Sequence, residues 1–350
     1  MKRLFAIVLC LCMLLTFFVA CNDEPETPAE ADYKLGMGVV VSMDSSKTGN
    51  AQVDATVATV VTDADGKIVA CRIDVAQNKM TVTDGAVDTA KTFETKMELG
   101  TRYNMAAYGS DNDGDGRVLE WDAQTKAFEQ YVIGKTAAEV AAIELQEVNA
   151  HQIAVDTALL TAGCTMQITD FMAAIVKACN DEQGMTFKTA AEFTLGVAAK
   201  TTVDSATKAA TAEADGVVAM YTDFACAVVA GDKVLATLND AIQPKIAITA
   251  AGEIGETPFK GTKRELKEGY NMAAYGSDND GDGRVLEWYV QSAEFSKYAV
   301  GKTAAEIAAL ETEEVNAHFV SKDATLISAG CTMQITGIMA VVAQAANNAR

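Results

Sequence analysis

Tyr103 to Trp121 reads YNMAAYGSDNDGDGRVLEW, and the same stretch returns unchanged from Tyr270 to Trp288, an offset of 167 residues. Working outward, the match continues through GKTAAE at Gly134 and Gly301 and through EVNAH ending at His151 and His318. It reaches AGCTMQIT at Ala162 and Ala329. Upstream it weakens but stays in register, pairing GKIVACRIDVAQNK from Gly66 with DKVLATLNDAIQPK from Asp232. A period this long signifies a duplicated unit rather than a solenoid. The expected copies span 33–183 and 184–350, each long enough to bury a core.

Within a copy, strands come first and helices after. Val53, Ala55 and Val57 alternate with other residues, then Val60 and Val61 lead to a turn at Asp63 to Gly66, and Ile68, Val69, Cys71 and Ile73 follow. That is the pattern of a β-hairpin. Trp121 to Val132 reads as a helix. Thr136 with Glu139, repeated as Thr303 with Glu306, forms a capping box that opens another. A last helix follows Thr169, with Ile168, Phe171, Met172, Ile175 and Val176 on one face. Separate runs of strand and helix predict an α+β fold.

Residues 1–20 have the shape of a secretory signal, with Lys2 and Arg3 ahead of an apolar run from Leu4 to Ala20. The run ends in Phe18-Val19-Ala20-Cys21, which resembles a lipobox and predicts lipidation of Cys21 on the outer face of the cell membrane. Residues 21–32 are then an acidic, proline-containing tether. Loss of Lys2 and Arg3 takes the formal charge from -20 to -22. Such a surface excludes nucleic acid as a partner and leaves contact with the membrane to the lipid alone. Five cysteines remain after Cys21, without CxxC spacing, which argues against a disulfide framework and a zinc site.

Three features could carry chemistry. Asp111, Asp113, Asp115 and Glu120, repeated as Asp278, Asp280, Asp282 and Glu287, surround turn glycines in the manner of a short calcium loop. The aromatic residues Tyr103, Tyr108, Trp121, Phe128 and Tyr131 and their second-copy partners could stack on a planar ligand, or form core. Ala162-Gly163-Cys164-Thr165 and Ala329-Gly330-Cys331-Thr332 precede the last helix of each copy and could present a hydroxyl and N–H groups to a phosphate. Gly134-Lys135-Thr136 lacks the earlier glycine of a phosphate-binding loop, Glu129 standing in its place. His151 and His318 are equivalent, read either as helix-terminal residues kept through duplication or as polar groups near a cofactor.

Both copies resemble the FMN-binding-domain lipoproteins of Gram-positive bacteria, pheromone-type lipoproteins of extracellular electron transfer. The likeness rests on DGKIVACRIDV from Asp65, on KMELGTRYNM from Lys96, on the Glu120-Trp121 pair with FEQYVIGKT after it, and on the turn before the last helix. Similar domains occur in the FMN-carrying subunits of Rnf and sodium-pumping quinone reductases. The resemblance implies that a flavin transferase joins FMN through its phosphate to Thr165 and Thr332. Here Ala162 and Ala329 replace the leading Ser of the motif, Cys164 and Cys331 replace its Ala, and Leu159 and Leu326 stand where an Asp is common. It implies an electron carrier, supplied by a quinol- or NADH-linked donor in the membrane and discharged to an external acceptor. The alternative is a calcium-stabilised binding or adhesion lipoprotein without a redox cofactor.

Overall fold

The computed structural model describes residues 30–350, so the signal segment and Cys21 lie outside the described residues. The first half runs β1 (Ala31–Ser42), β2 (Asn50–Thr62), β3 (Ile68–Thr83), β4 (Ala86–Val87), α1 (Lys96–Leu99), α2 (Met105–Tyr108), α3 (Trp121–Tyr131) and α4 (Ala137–Ala141). It ends with β5 (Leu145–Val148), β6 (His151–Ala154), α5 (Thr157–Thr161) and α6 (Thr169–Cys179). After β7 (Met185–Thr189) the series resumes as β8 (Thr194–Val203), β9 (Gly216–Ala230), β10 (Lys233–Ile242), β11 (Lys245–Ile248), α7 (Lys263–Leu266) and α8 (Met272–Tyr275). It closes with α9 (Trp288–Ala299), α10 (Ala304–Ala308), β12 (Thr312–Val315), β13 (His318–Ser321), α11 (Ala324–Ser328) and α12 (Thr336–Asn347). The fold is mixed, with curled antiparallel sheets and helices.

The expected hairpin is β2 with β3, paired from Asn50↔Thr81 to Thr62↔Ile68. Helix α3 occupies the predicted span, and Thr136 and Thr303 close capping boxes on α4 and α10. The long β3 has a broken counterpart, β10 and β11. Pro244 stands between them where the first copy has Asn78, and proline cannot donate to a ladder.

Strand order is β4-β3-β2-β1-β7 in one sheet, and β10-β9-β11 with β8 beside β9 in the other. At their edges β3 lies near β8 and β7 near β10, so the two sheets wrap around one interior. Strand alternation sets the layers. Along β2, Val53, Ala55, Val57 and Val61 face the common interior together with Phe224, Cys226 and Val228 of β9. Ala58 and Val60 turn the other way, onto Phe128, Phe171 and Ile175 of the first helical layer. Ala225 and Ala227 do the same against Phe295, Ile338 and Val342. The halves are therefore joined through a core to which both contribute, beyond the separate cores that the sequence implies.

Two details depart from the expected boundaries. β1 begins at Ala31, inside the expected tether, because Ala31 and Asp32 pair with Thr189 and Lys188. β7, which follows the expected division at 184, completes the first sheet instead of the second. Contacts across the halves are reciprocal. Lys177 donates to Glu265 at 2.7 Å, and its counterpart Gln344 donates to Glu98, the counterpart of Glu265, at 2.8 Å. Such exchange of equivalent contacts is the signature of a two-fold arrangement. Among the described residues no helix is long and apolar enough to cross a membrane.

Candidate functional site

The repeated stretch builds the same wall twice. Asn104 takes the left-handed conformation at φ 61, which ends one turn and starts α2. The Glu120 carboxylate then accepts the N–H of Met105 at 2.9 Å and of Ala106 at 3.4 Å, fixing α2 against the start of α3. Gln124, fully buried, donates to the Leu119 carbonyl at 2.8 Å and accepts the Thr165 N–H at 2.9 Å. Asn112 donates to the Thr165 carbonyl at 2.9 Å and accepts from Asn149 at 3.0 Å. Gln291, Asn279 and Asn316 repeat these bonds around Thr332.

Between this wall and the strands lies a cleft in each half, of about 670 Å³ in the first and about 940 Å³ in the second. Tyr103, Tyr108, Trp121 and His151 line the first, and Tyr270, Tyr275, Trp288 and His318 the second. The other proposed aromatic residues do not reach it. Phe128 is buried in the helical core, and Tyr131 turns its hydroxyl to Asp156 at 2.6 Å. Tyr108 and Tyr275 stand at the rims, 84% and 85% exposed.

Two groups that carried no expected role complete the clefts. The Lys96 ammonium sits 4.7 Å from the Tyr103 ring centroid and 5.5 Å from that of Trp121. Lys263 is deeper, 4.6 Å from both Tyr221 and Tyr270 and 5.2 Å from Trp288, and donates to the Tyr221 hydroxyl at 2.9 Å. Burial pulls the Lys263 amine down to about 8, against the opposing pull of Asp223 and Asp240. The strand floor supplies Asp54 and Thr56 in the first cleft and Tyr221 and Asp223 in the second. Burial pushes Asp223 up to about 7, although Lys263 favours its charged form. The sequence held a signal for these residues, since polar side chains two apart within an apolar run share one strand face.

The expected flavin threonines lie at the edge of each cleft but point inward. Thr165 is 4% exposed and Thr332 5%. The Thr165 hydroxyl stands 3.5 Å from Gln124 Oε1, and its N–H is already taken by the same oxygen. Gly163 is needed for its φ of 90 and because a Cβ there would come within 2.4 Å of Leu119. Cys164 and Cys331 are buried, and burial holds each thiol up at about 12. Ala162 and Ala329 end α5 and α11. The residues after the threonines, Met166, Gln167, Met333 and Gln334, do line the clefts.

Asp111, Asp113 and Asp115 bring carboxylate oxygens within 4.8 Å of one another, as do Asp278, Asp280 and Asp282, all exposed. Glu120 and Glu287 are not among them, being held on α2 and α8. Asp111 accepts the N–H groups of Gly114 at 2.9 Å and Gly116 at 3.1 Å, so the loop closes on its own backbone. Arg117, at 2.9 Å, holds Asp115 below the usual carboxylate range. No protein-family model, curated protein or solved structure matches the chain.

Proposed function

We propose that this chain is a lipid-anchored electron carrier of the outer membrane face, two tandem FMN-binding-like domains with one FMN in each cleft. The observation that carries the reading is the pair of clefts faced by the same wall, with an aromatic pair beside a lysine: Tyr103, Trp121 and Lys96, then Tyr270, Trp288 and Lys263. Their volumes fall in the range of small-molecule sites. Bound flavin supplies the redox chemistry. The chain's own residues stack on the ring, present a positive charge, and exclude water from its face. Two flavins on one tether, anchored through Cys21, would relay electrons from a membrane quinol- or NADH-linked donor to an external acceptor.

Covalent attachment by a flavin transferase places a specific demand on the chain. The Thr165 hydroxyl must turn away from Gln124, and the buried Thr332 hydroxyl must become accessible, for a phosphoester to form. Co-expression with a transferase should add one FMN less water at each threonine, resistant to denaturation. Thr165→Val and Thr332→Val should each remove one flavin. An unmodified chain beside a modified control substrate overturns covalent flavinylation.

The burial of those hydroxyls favours a second reading, a binding or adhesion lipoprotein without redox cofactor, stabilised by calcium at Asp111, Asp113 and Asp115 and their partners. A cation that binds only the native state raises the melting temperature with its concentration. Melting that is the same in chelator and in millimolar calcium removes the calcium part of this reading.

A further inference from the structure

The clefts hold the same set of charges, yet much of it comes from different positions. Each has two lysines, two aspartates and one histidine, and only the Lys96/Lys263 and His151/His318 pairs are equivalent. The first cleft takes a carboxylate from Asp170 on α6, where the second has Gly337 on α12. The second takes one from Asp223 on β9, where the first has Thr56 on β2. These are two routes to one place. A Cβ built on Gly337 would come within 2.4 Å of Asp223 Oδ2, so a side chain at 337 would enter the space that the Asp223 carboxylate fills.

One of the cleft carboxylates is also short of a donor. Asp54 Oδ1, in the first cleft, is buried without a hydrogen-bond partner, while its Oδ2 accepts from Gln52 at 2.7 Å. Asp223 is 9% exposed and has Tyr221 as its hydrogen-bonding neighbour, and among the described residues none of the four cleft lysines pairs within 4 Å with an aspartate of its own cleft. A buried acceptor left open is costly unless something completes it.

We propose that in both clefts these carboxylates select the ligand, accepting an N–H donor carried on an aromatic ring that rests on the tyrosine and tryptophan wall. The donor faces Asp54 and Asp170 in the first cleft and Asp223 in the second. The ligand class is a planar heteroaromatic compound with an imide, amidine or amino N–H. The inference rests on the reading of the clefts as ligand sites, and FMN, whose ring carries one imide N–H, is one member of the class.

The test titrates the full chain in detergent with three probes: FMN, its N3-methyl derivative, and benzamidinium. FMN should bind each cleft at least tenfold more tightly than the methylated form, the discrimination expected of one charge-assisted hydrogen bond. Asp54→Ala with Asp170→Gly should abolish that preference in the first cleft and Asp223→Thr in the second. Asp223→Thr with Gly337→Asp, which moves the carboxylate of the second cleft to the helix position that Asp170 holds in the first, should restore it, and this rescue separates recognition from misfolding. If FMN fails while benzamidinium binds and depends on the same carboxylates, the flavin reading falls and this proposal stands. If FMN binds equally with and without the N3 methyl group and ignores the variants, the proposal falls and the flavin reading stands. Binding of no probe overturns both.

Discussion

Lys267 occupies a backbone conformation that only glycine adopts freely, and replacing it with glycine should stabilise the protein. Its φ is 49 and its ψ -122, and the equivalent residue of the first half, Gly100, has φ 50 and ψ -128. A non-glycine residue held in such a region costs ~1–3 kcal/mol. Two smaller effects oppose the gain. Glycine adds unfolded-state freedom worth roughly 0.5–1 kcal/mol. Lys267 also loses its contact with Glu182, 3.5 Å away and 86% exposed at the glutamate, a pair of the kind that contributes about 0–1 kcal/mol. The balance is a stabilisation of about 1 kcal/mol for Lys267→Gly. The converse change, Gly100→Ala, should destabilise by ~1–2 kcal/mol from torsion alone, since nothing lies within 4 Å of the added Cβ. Urea unfolding followed by tryptophan fluorescence would report both as shifts of midpoint at constant slope. A midpoint for Lys267→Gly at or below that of the parent would refute the reasoning, because the strain would then be absent or relieved elsewhere.

Gly36→Ala should cost at least ~2 kcal/mol, read in the same unfolding assay, because its Cβ would stand 1.9 Å from the Ala178 carbonyl and α6 would have to lift off β1. Asp181→Ala should cost ~3 kcal/mol by leaving Arg264, 7% exposed in its side chain, buried without its partner at 3.0 Å; Arg264→Met with Asp181→Ala should recover much of that loss. Burial raises Asp74 to about 7 and Asp240 to about 6, so the folded chain holds protons that the unfolded chain has released between pH 4 and 7. Stability therefore falls as pH rises through that window, the melting temperature should be higher at pH 5 than at pH 8, and Asp74→Asn should shrink the difference. A melting temperature that rises from pH 5 to pH 8 would contradict this account.

Much of the local structure is legible in the sequence, and for local reasons. Period-two alternation marked the β2/β3 hairpin, the Thr136 and Glu139 spacing marked the start of α4, and the apolar face from Phe171 to Ile175 marked α6. The duplication was visible as identity along the chain. Three alternating aspartates announced a loop whose oxygens converge, but not that Glu120 would turn to the Met105 N–H, because a carboxylate five residues on can serve either end of that loop.

What the sequence by itself determined was the β2/β3 hairpin, the helices α3, α4 and α6, and that the series is written twice. Only the tertiary structure decided that the two sheets curl around a shared interior, that β7 crosses the expected boundary to pair with β1, and that Lys263 lies among Tyr221, Tyr270 and Trp288. It also decided that Asp223 takes the space which Gly337 leaves open. The physical reason is one of range. Propensity, capping and periodicity act over a few residues and can be read in order, whereas the meeting of strand, turn and helix in a cleft depends on packing between segments far apart in the chain.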